Sequence, residues 1–165
     1  AAVGLAQIKK LDHILHAQKK NNQLLRNILK QVEDISFRIV PDPEGDNFAF
    51  LSWFLPTEEL TKAFVEEMKN QKALSGHFYW YINNWHYITK WDHLKNATTL
   101  NGQSPAVTAS LKEYANKSFP VSNAIMSRCI STAISLLWTE DQIKIKGEQM
   151  VAAIRKVLHQ QSTRI

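Results

Sequence analysis

Cysteine is nearly absent from this chain: Cys129 is the one thiol in 165 residues. A single thiol excludes an internal disulfide framework and suits a reducing compartment. Glycine is scarce, with five residues, and none stands in a phosphate-cradling loop or a dinucleotide fingerprint. No apolar run approaches the roughly 20 residues needed to span a bilayer, and no secretory signal pattern opens the chain. The Asn96-Ala-Thr and Asn116-Lys-Ser matches to the glycosylation pattern are therefore read as chance. Zincin helices, paired zinc cysteines and nucleophile motifs are all missing. His77, His86 and His93 are spaced nine and seven apart, which is no recognised metal-ligand pattern.

What is present reads as one soluble globular domain, with 44% hydrophobic and 21% charged residues. The net charge of +5 comes from 20 basic and 15 acidic side chains. The lysines are scattered, with short pairs such as Lys9-Lys10 and Lys19-Lys20, whereas a nucleic-acid footprint clusters them.

Leu5, Ile8, Leu11 and Leu15 follow helical spacing from the outset, with no capping residue in front. The expectation is a piece of something longer, beginning inside a helix. That helix is expected from Ala2 to Val32, with a break near Asn21-Asn22. Ser36–Val40 and Phe48–Phe54 read as a hairpin around the Pro41–Asn47 turn, the second strand apolar enough to be covered on both faces. Thr57 with Glu58 and Glu59 starts a helix lined by Leu60, Phe64 and Met68. Ser104-Pro105 opens another, Phe119-Pro120 breaks the chain, and Ser122–Met126 reads as one helical turn. Arg128–Ile134 has the β-branched content of a strand. Thr139-Glu-Asp-Gln142 is a capping box opening a helix with Ile143, Met150, Val151, Ile154 and Leu158 on its apolar face. The fold class is α+β: two layers, a small sheet with flanking helices.

Between Gly76 and His93 the chain places seven aromatics and three histidines in 18 residues. Sugars present apolar ring faces and many hydroxyls. Trp and Tyr pack on the former, while Asn and His bond the latter. Asn83, Asn84, Trp85, His86 and Tyr87 offer those types together and are the candidate substrate-binding residues. Phe78 and Trp80 are expected in the core, opposite Tyr79 and Tyr81 on a strand. Arg128 is read as a strand-end surface charge and Cys129 as buried packing.

Two separated segments carry a resemblance. Ala1-Ala-Val-Gly-Leu-Ala-Gln-Ile8 is similar to the helix that follows the substrate-site loop in the DegT/DnrJ/EryC1/StrS sugar aminotransferases. Phe119-Pro-Val121, Ile130-Ser131 and Thr139-Glu-Asp-Gln-Ile143 resemble that family's closing strand and helix, in the same order. The resemblance spans essentially all of residues 1–165 and implies the small C-terminal domain of a type I pyridoxal-phosphate aminotransferase. It further implies a cytoplasmic homo-oligomer of surface-polysaccharide or lipopolysaccharide synthesis. Its substrates would be a keto-sugar or nucleotide-sugar and an amino-acid donor. His86 with Tyr87 best matches the segment that reaches the sugar in that family. Phe78–Tyr81 and Asn83–Tyr87 look more like a branch that aminates an octulosonate-type keto-sugar acid. The family's Schiff-base lysine, ring-stacking residue and pyridine-partnering aspartate lie upstream of such a domain. This fragment is therefore expected to hold no cofactor and to be inactive alone.

The competing expectation is a stand-alone module stacking single-stranded nucleic acid on Tyr79, Tyr81, Trp85 and Tyr87, flanked by Lys72, Lys90 and Lys95. Titrating an oligonucleotide at two salt concentrations separates the readings. A binding constant falling steeply with salt is expected of the module, and no salt-dependent binding of the aminotransferase domain.

Overall fold

Alternating side chains in Phe50-Leu-Ser-Trp-Phe54 and the β-branched run around Ile130 and Thr132 dictate a pair of strands, and these form the centre of the sheet. The computed structural model describes residues 2–70, 76–83, 86–96, 98, 105–115 and 117–162. The chain runs through α1 (Ala2–Ile8), α2 (Leu11–Leu29), β1 (Ser36–Phe37), β2 (Phe50–Phe54), α3 (Glu58–Asn70) and β3 (His77–Phe78). It continues through α4 (Asp92–Lys95), α5 (Pro105–Ala115), α6 (Pro120–Met126), β4 (Cys129–Ala133) and α7 (Glu140–Ser162). The four strands are antiparallel in the order β1-β2-β4-β3. This is the α+β architecture expected from the sequence.

The register sorts the two faces. Trp53 pairs with Ile130 and Leu51 with Thr132, while His77 also meets Thr132. These side chains share the face that α2, α3 and α7 cover. Leu25, Leu29, Phe64, Ile143, Met150 and Ile154 complete that layer, all fully buried. Each such side chain removed from water contributes about 1.5–3 kcal/mol. Trp53 sits edge-on to Phe64 at 5.0 Å between ring centroids, and its indole N–H donates to the Thr132 hydroxyl at 3.1 Å.

The helix starts follow their local chemistry. Thr57 Oγ1 accepts the Leu60 N–H at 3.3 Å. At α7 the capping box closes both ways: Thr139 N–H donates to Gln142 Oε1 at 2.9 Å, and Gln142 N–H to Thr139 Oγ1 at 3.3 Å. Pro120 stands in the first turn of α6, where its missing N–H costs nothing.

Three expectations are corrected. Helix α2 runs unbroken through Asn21-Asn22, and the interruption falls at Lys9-Lys10. The two asparagines are buried because they bond carbonyls across the fold. Asn21 Nδ2 donates to Ser135 O at 2.9 Å. Asn22 Nδ2 donates to Phe48 O at 3.3 Å and Phe50 O at 3.2 Å. Strand β2 is covered on one face only: Leu51 and Trp53 are buried, while Phe50 on the other face is 45% exposed. Phe78 and Trp80 are not the core pair. Phe78 faces Ser131 on the open side of the sheet and is 37% exposed, and Trp80 stacks on it at 4.5 Å. The ring that turns inward is Tyr79.

Helices α2 and α7 approach closely at Gly147, where an added Cβ would lie 2.7 Å from Ile28 Cγ2. Gly147→Ala is expected to destabilise. Overpacking costs about 1–3 kcal/mol against a helix-propensity gain of about 1 kcal/mol. Urea unfolding checks this, and in an Ile28→Ala background the same substitution should turn neutral or stabilising.

Candidate functional site

The aromatic segment leaves the edge strand β3 and is pinned to the domain at two phenols. Tyr79 is buried, and its hydroxyl donates to Ser127 O at 2.7 Å. Burial, with Glu58 nearby, pushes that phenol well above its ordinary range. Tyr87 is also buried, and its hydroxyl donates to Asn123 Oδ1 on α6. Burial raises its pKa as well. Between the two anchors the chain makes a 3-10 turn over Trp80–Ile82, and after Tyr87 a second over Ile88–Lys90. A hydroxyl bonded inside the protein is not free to donate outward, so Tyr79 and Tyr87 act as fasteners for the segment.

Of the five residues singled out in the sequence, Asn83, His86 and Tyr87 lie within the described residues, whereas Asn84 and Trp85 lie outside them. Asn83 Oδ1 and His86 Nδ1 are 3.3 Å apart. The exposed His86 ring lies against Trp80 at 4.1 Å. Trp80 in turn stacks on Phe78, and both meet Phe50 edge-on near 6 Å. Two polar groups thus border a continuous aromatic surface on the open face of the sheet. This combination can pack a sugar ring and bond its hydroxyls. With Tyr79 and Tyr87 turned inward, two of the four rings of the nucleic-acid stacking expectation are not available at the surface.

Behind Tyr87 lies a cavity of about 260 Å³ that sequence reasoning did not assemble. Lys90, Lys95 and Lys117 line it with Tyr81, Thr89 and Asn123, and among the described residues no acidic side chain contributes. Lys90 Nζ lies 4.9 Å from the centroid of the Tyr81 ring. Lys90 and Lys95 were visible as flanking charges. Lys117 and Asn123 carried no signal, because only the packing of α6 on the aromatic turn brings them there.

The remaining candidates fall into structural roles. Arg128 is half-buried and ties α6 to the β2–α3 turn, with Nε donating to Ala124 O at 2.9 Å and Nη1 to Pro56 O at 3.5 Å. Cys129 is buried packing, as expected, and burial raises its thiol pKa. Trp91 is half-buried, and Asp92 and His93 are exposed on α4. Among the described residues, no three His, Cys, Asp or Glu gather as a metal site, and no helix is long and apolar enough to cross a membrane.

The fold is a small α+β domain, a four-stranded antiparallel sheet with flanking helices. The sequence profile of the DegT/DnrJ/EryC1/StrS aminotransferase family matches residues 1–150, and the chain belongs to that family. In fold the chain is similar to the crystal structure of 3-amino-5-hydroxybenzoic acid (AHBA) synthase, with a TM-score of 0.59 and 18% sequence identity. The likeness covers 92% of this chain and 37% of the synthase.

One buried group in the same segment sets a pH dependence. The Nδ1 atom of His77 lies 3.0 Å from Thr132 Oγ1, and Nε2 is buried with no hydrogen-bond partner among the described residues. Burial, reinforced by the charge of Lys146, lowers the imidazole from 6.5 to about 3. The folded protein therefore refuses a proton that the unfolded chain accepts. Stability from this group is complete above about 6.5 and declines as pH falls toward about 3. Urea unfolding at several pH values should show this decline, and His77→Gln should flatten it. NMR of the wild-type imidazole should show a neutral ring at pH 5.

Proposed function

We propose that this chain is the C-terminal domain of a pyridoxal-phosphate-dependent sugar aminotransferase whose acceptor is an acidic keto-sugar. The family match supports the class of reaction. The observation that carries the acidic acceptor is the lysine-lined cavity adjoining the Asn83–Tyr87 segment. A carboxylate-bearing sugar can lie on the Phe78–Trp80–His86 surface and bond Asn83 and His86, with its carboxylate toward Lys90, Lys95 and Lys117. Tyr87 holds the cavity wall through Asn123. Asn84 and Trp85, expected from the sequence to share this role, lie outside the described residues. An octulosonate-type keto-sugar acid of lipopolysaccharide synthesis fits this chemistry, with an amino acid as the nitrogen donor and a cytoplasmic homo-oligomer as the working form.

Pyridoxal phosphate would supply the electron sink for amino transfer. The residues described do not fit it. Lys146 is the lysine most perturbed by burial, its ammonium lowered to about 8. It lies 4.9 Å from the Trp138 ring and lines neither the 260 Å³ cavity nor the groove beside α2. We assign the cofactor to a part of the enzyme outside this domain, a reading supported by the 37% share of the synthase that the chain spans. The role left to these residues is to bind and orient the acceptor.

The test compares this chain with a polypeptide extended by its upstream reading frame. Each is supplied with pyridoxal phosphate, glutamate and either a keto-sugar acid or a neutral nucleotide-linked keto-sugar. The extended protein is expected to aminate the acid, and the chain alone to be inactive. Lys90→Gln with Lys95→Gln should raise KM for the acid about tenfold or more with little change in kcat. Turnover by the chain alone would overturn the domain reading. Preference for the neutral sugar, with KM unmoved by the lysine variants, would overturn the acidic acceptor.

A further inference from the structure

A second concavity lies at the opposite edge of the sheet, between α2 and the segment that joins β1 to β2. Its volume is about 700 Å³, within the range of small-molecule sites. Lys19 and Arg26 line it from α2 and Lys30 from the cap that ends the helix, at spacings of seven and four residues, which is one helix face. Arg38 faces them from beyond β1.

The charges do not balance. Four cations line the groove against one carboxylate, Glu44, and Asp46 adjoins it from the neighbouring hollow. Glu44 meets Lys19 at 3.8 Å with its side chain 89% exposed, so that pair is loose. Asp46 meets Arg38 at 3.5 Å. Arg26 and Lys30 have no carboxylate within ion-pair distance among the described residues.

The groove is also shaped. The Arg26 guanidinium carbon lies 4.8 Å from the Phe37 ring centroid. A guanidinium set over a ring keeps its N–H edges free for a bidentate acceptor such as a phosphoryl group. Lys19 Nζ lies 5.5 Å from the Phe48 ring centroid. Phe48 itself adopts φ 55°, the left-handed region that bulky residues avoid. It is held there by the Asp46 carboxylate on its N–H at 3.0 Å and by the buried Asn22 on its carbonyl at 3.3 Å. Strain maintained by a buried polar clamp is typical of ligand sites. Ile39, 87% exposed, leaves an apolar wall beside the cations.

We propose that this groove is a second ligand site that takes a small organic phosphate. The phosphoryl group lies on Arg26, Lys30 and Arg38, and the uncharged remainder lies against Ile39. Nucleoside phosphates and sugar phosphates share this chemistry. The strand order separates the groove from the aromatic segment by three strand spacings, roughly 14 Å, so the site is distinct from the one assigned to the acceptor.

Isothermal titration with ADP, ribose 5-phosphate, inorganic phosphate and adenosine tests the assignment. Saturable, salt-sensitive binding of ADP or ribose 5-phosphate is expected, and the tighter of the two identifies the source of the phosphate. Lys30→Gln, at an exposed position, and Arg26→Gln should each weaken binding about tenfold. Lys90→Gln should leave it unchanged, and melting curves should show all three variants folded. The proposal is overturned if neither organic phosphate saturates at millimolar concentration, or if adenosine or inorganic phosphate binds as tightly. Unaltered binding by the Lys30 variant would also overturn it. So would length-dependent binding of oligo(dT) tighter than that of ADP, which would point to a nucleic-acid surface.

Discussion

The Thr132 hydroxyl joins three strands, and the placement of the aromatic segment depends on it. Thr132 lies on β4 and is fully buried. It accepts the indole N–H of Trp53 from β2 and meets the imidazole of His77 from β3. A buried hydroxyl left without partners costs about 1–3 kcal/mol, so the three side chains hold one another in register. β3 has only two paired residues, too few to fix its position by backbone bonds alone. The His77–Thr132 contact and the Tyr79–Ser127 bond anchor it from either end.

From that anchor the two faces of the sheet follow. His77 and Tyr79 turn toward the helices, and Phe78 must turn away, because successive side chains alternate. Phe78, Trp80 and Phe50 then form an open aromatic surface. Such a surface is costly to leave in water unless something covers it, and the acceptor reading gives it an occupant. The same alternation explains why one strand can carry both a core tryptophan, Trp53, and an exposed phenylalanine, Phe50.

Two buried asparagines perform a similar service at the other edge. Asn21 and Asn22 tie α2 to the start of α7 and to β2 through backbone carbonyls. The carbonyls of Phe48, Ser135 and Trp138 belong to connecting segments, and that of Phe50 stands at the start of β2. Asn22 also holds Phe48 in its left-handed conformation, so the shape of the cationic groove and the docking of α2 rest on one side chain. The aromatic edge and the cationic edge are thus built independently, each from a polar anchor between a helix and the sheet.

By itself the sequence determined the local elements: the capped starts of α3 and α7, the β2–β4 strand content, the α+β class and, through two matched segments, the aminotransferase family. These follow from interactions among residues close in the chain, where spacing alone sets geometry. It also grouped Asn83 and His86 in one short candidate stretch. Tertiary structure decided the rest. The Asn21-Asn22 pair reads as a helix break because polar residues are disfavoured within a buried face, and only the distant carbonyls of Phe48, Phe50 and Ser135 reverse that preference. Phe78 and Trp80 read as core because they are large and apolar, yet the partner strand orients Phe78 outward and leaves the smaller polar group of Tyr79 to be satisfied inside. The lysine-lined cavity and the groove between α2 and β1 each join residues far apart in sequence. No periodicity encodes such meetings; they exist only once helices and sheet pack together.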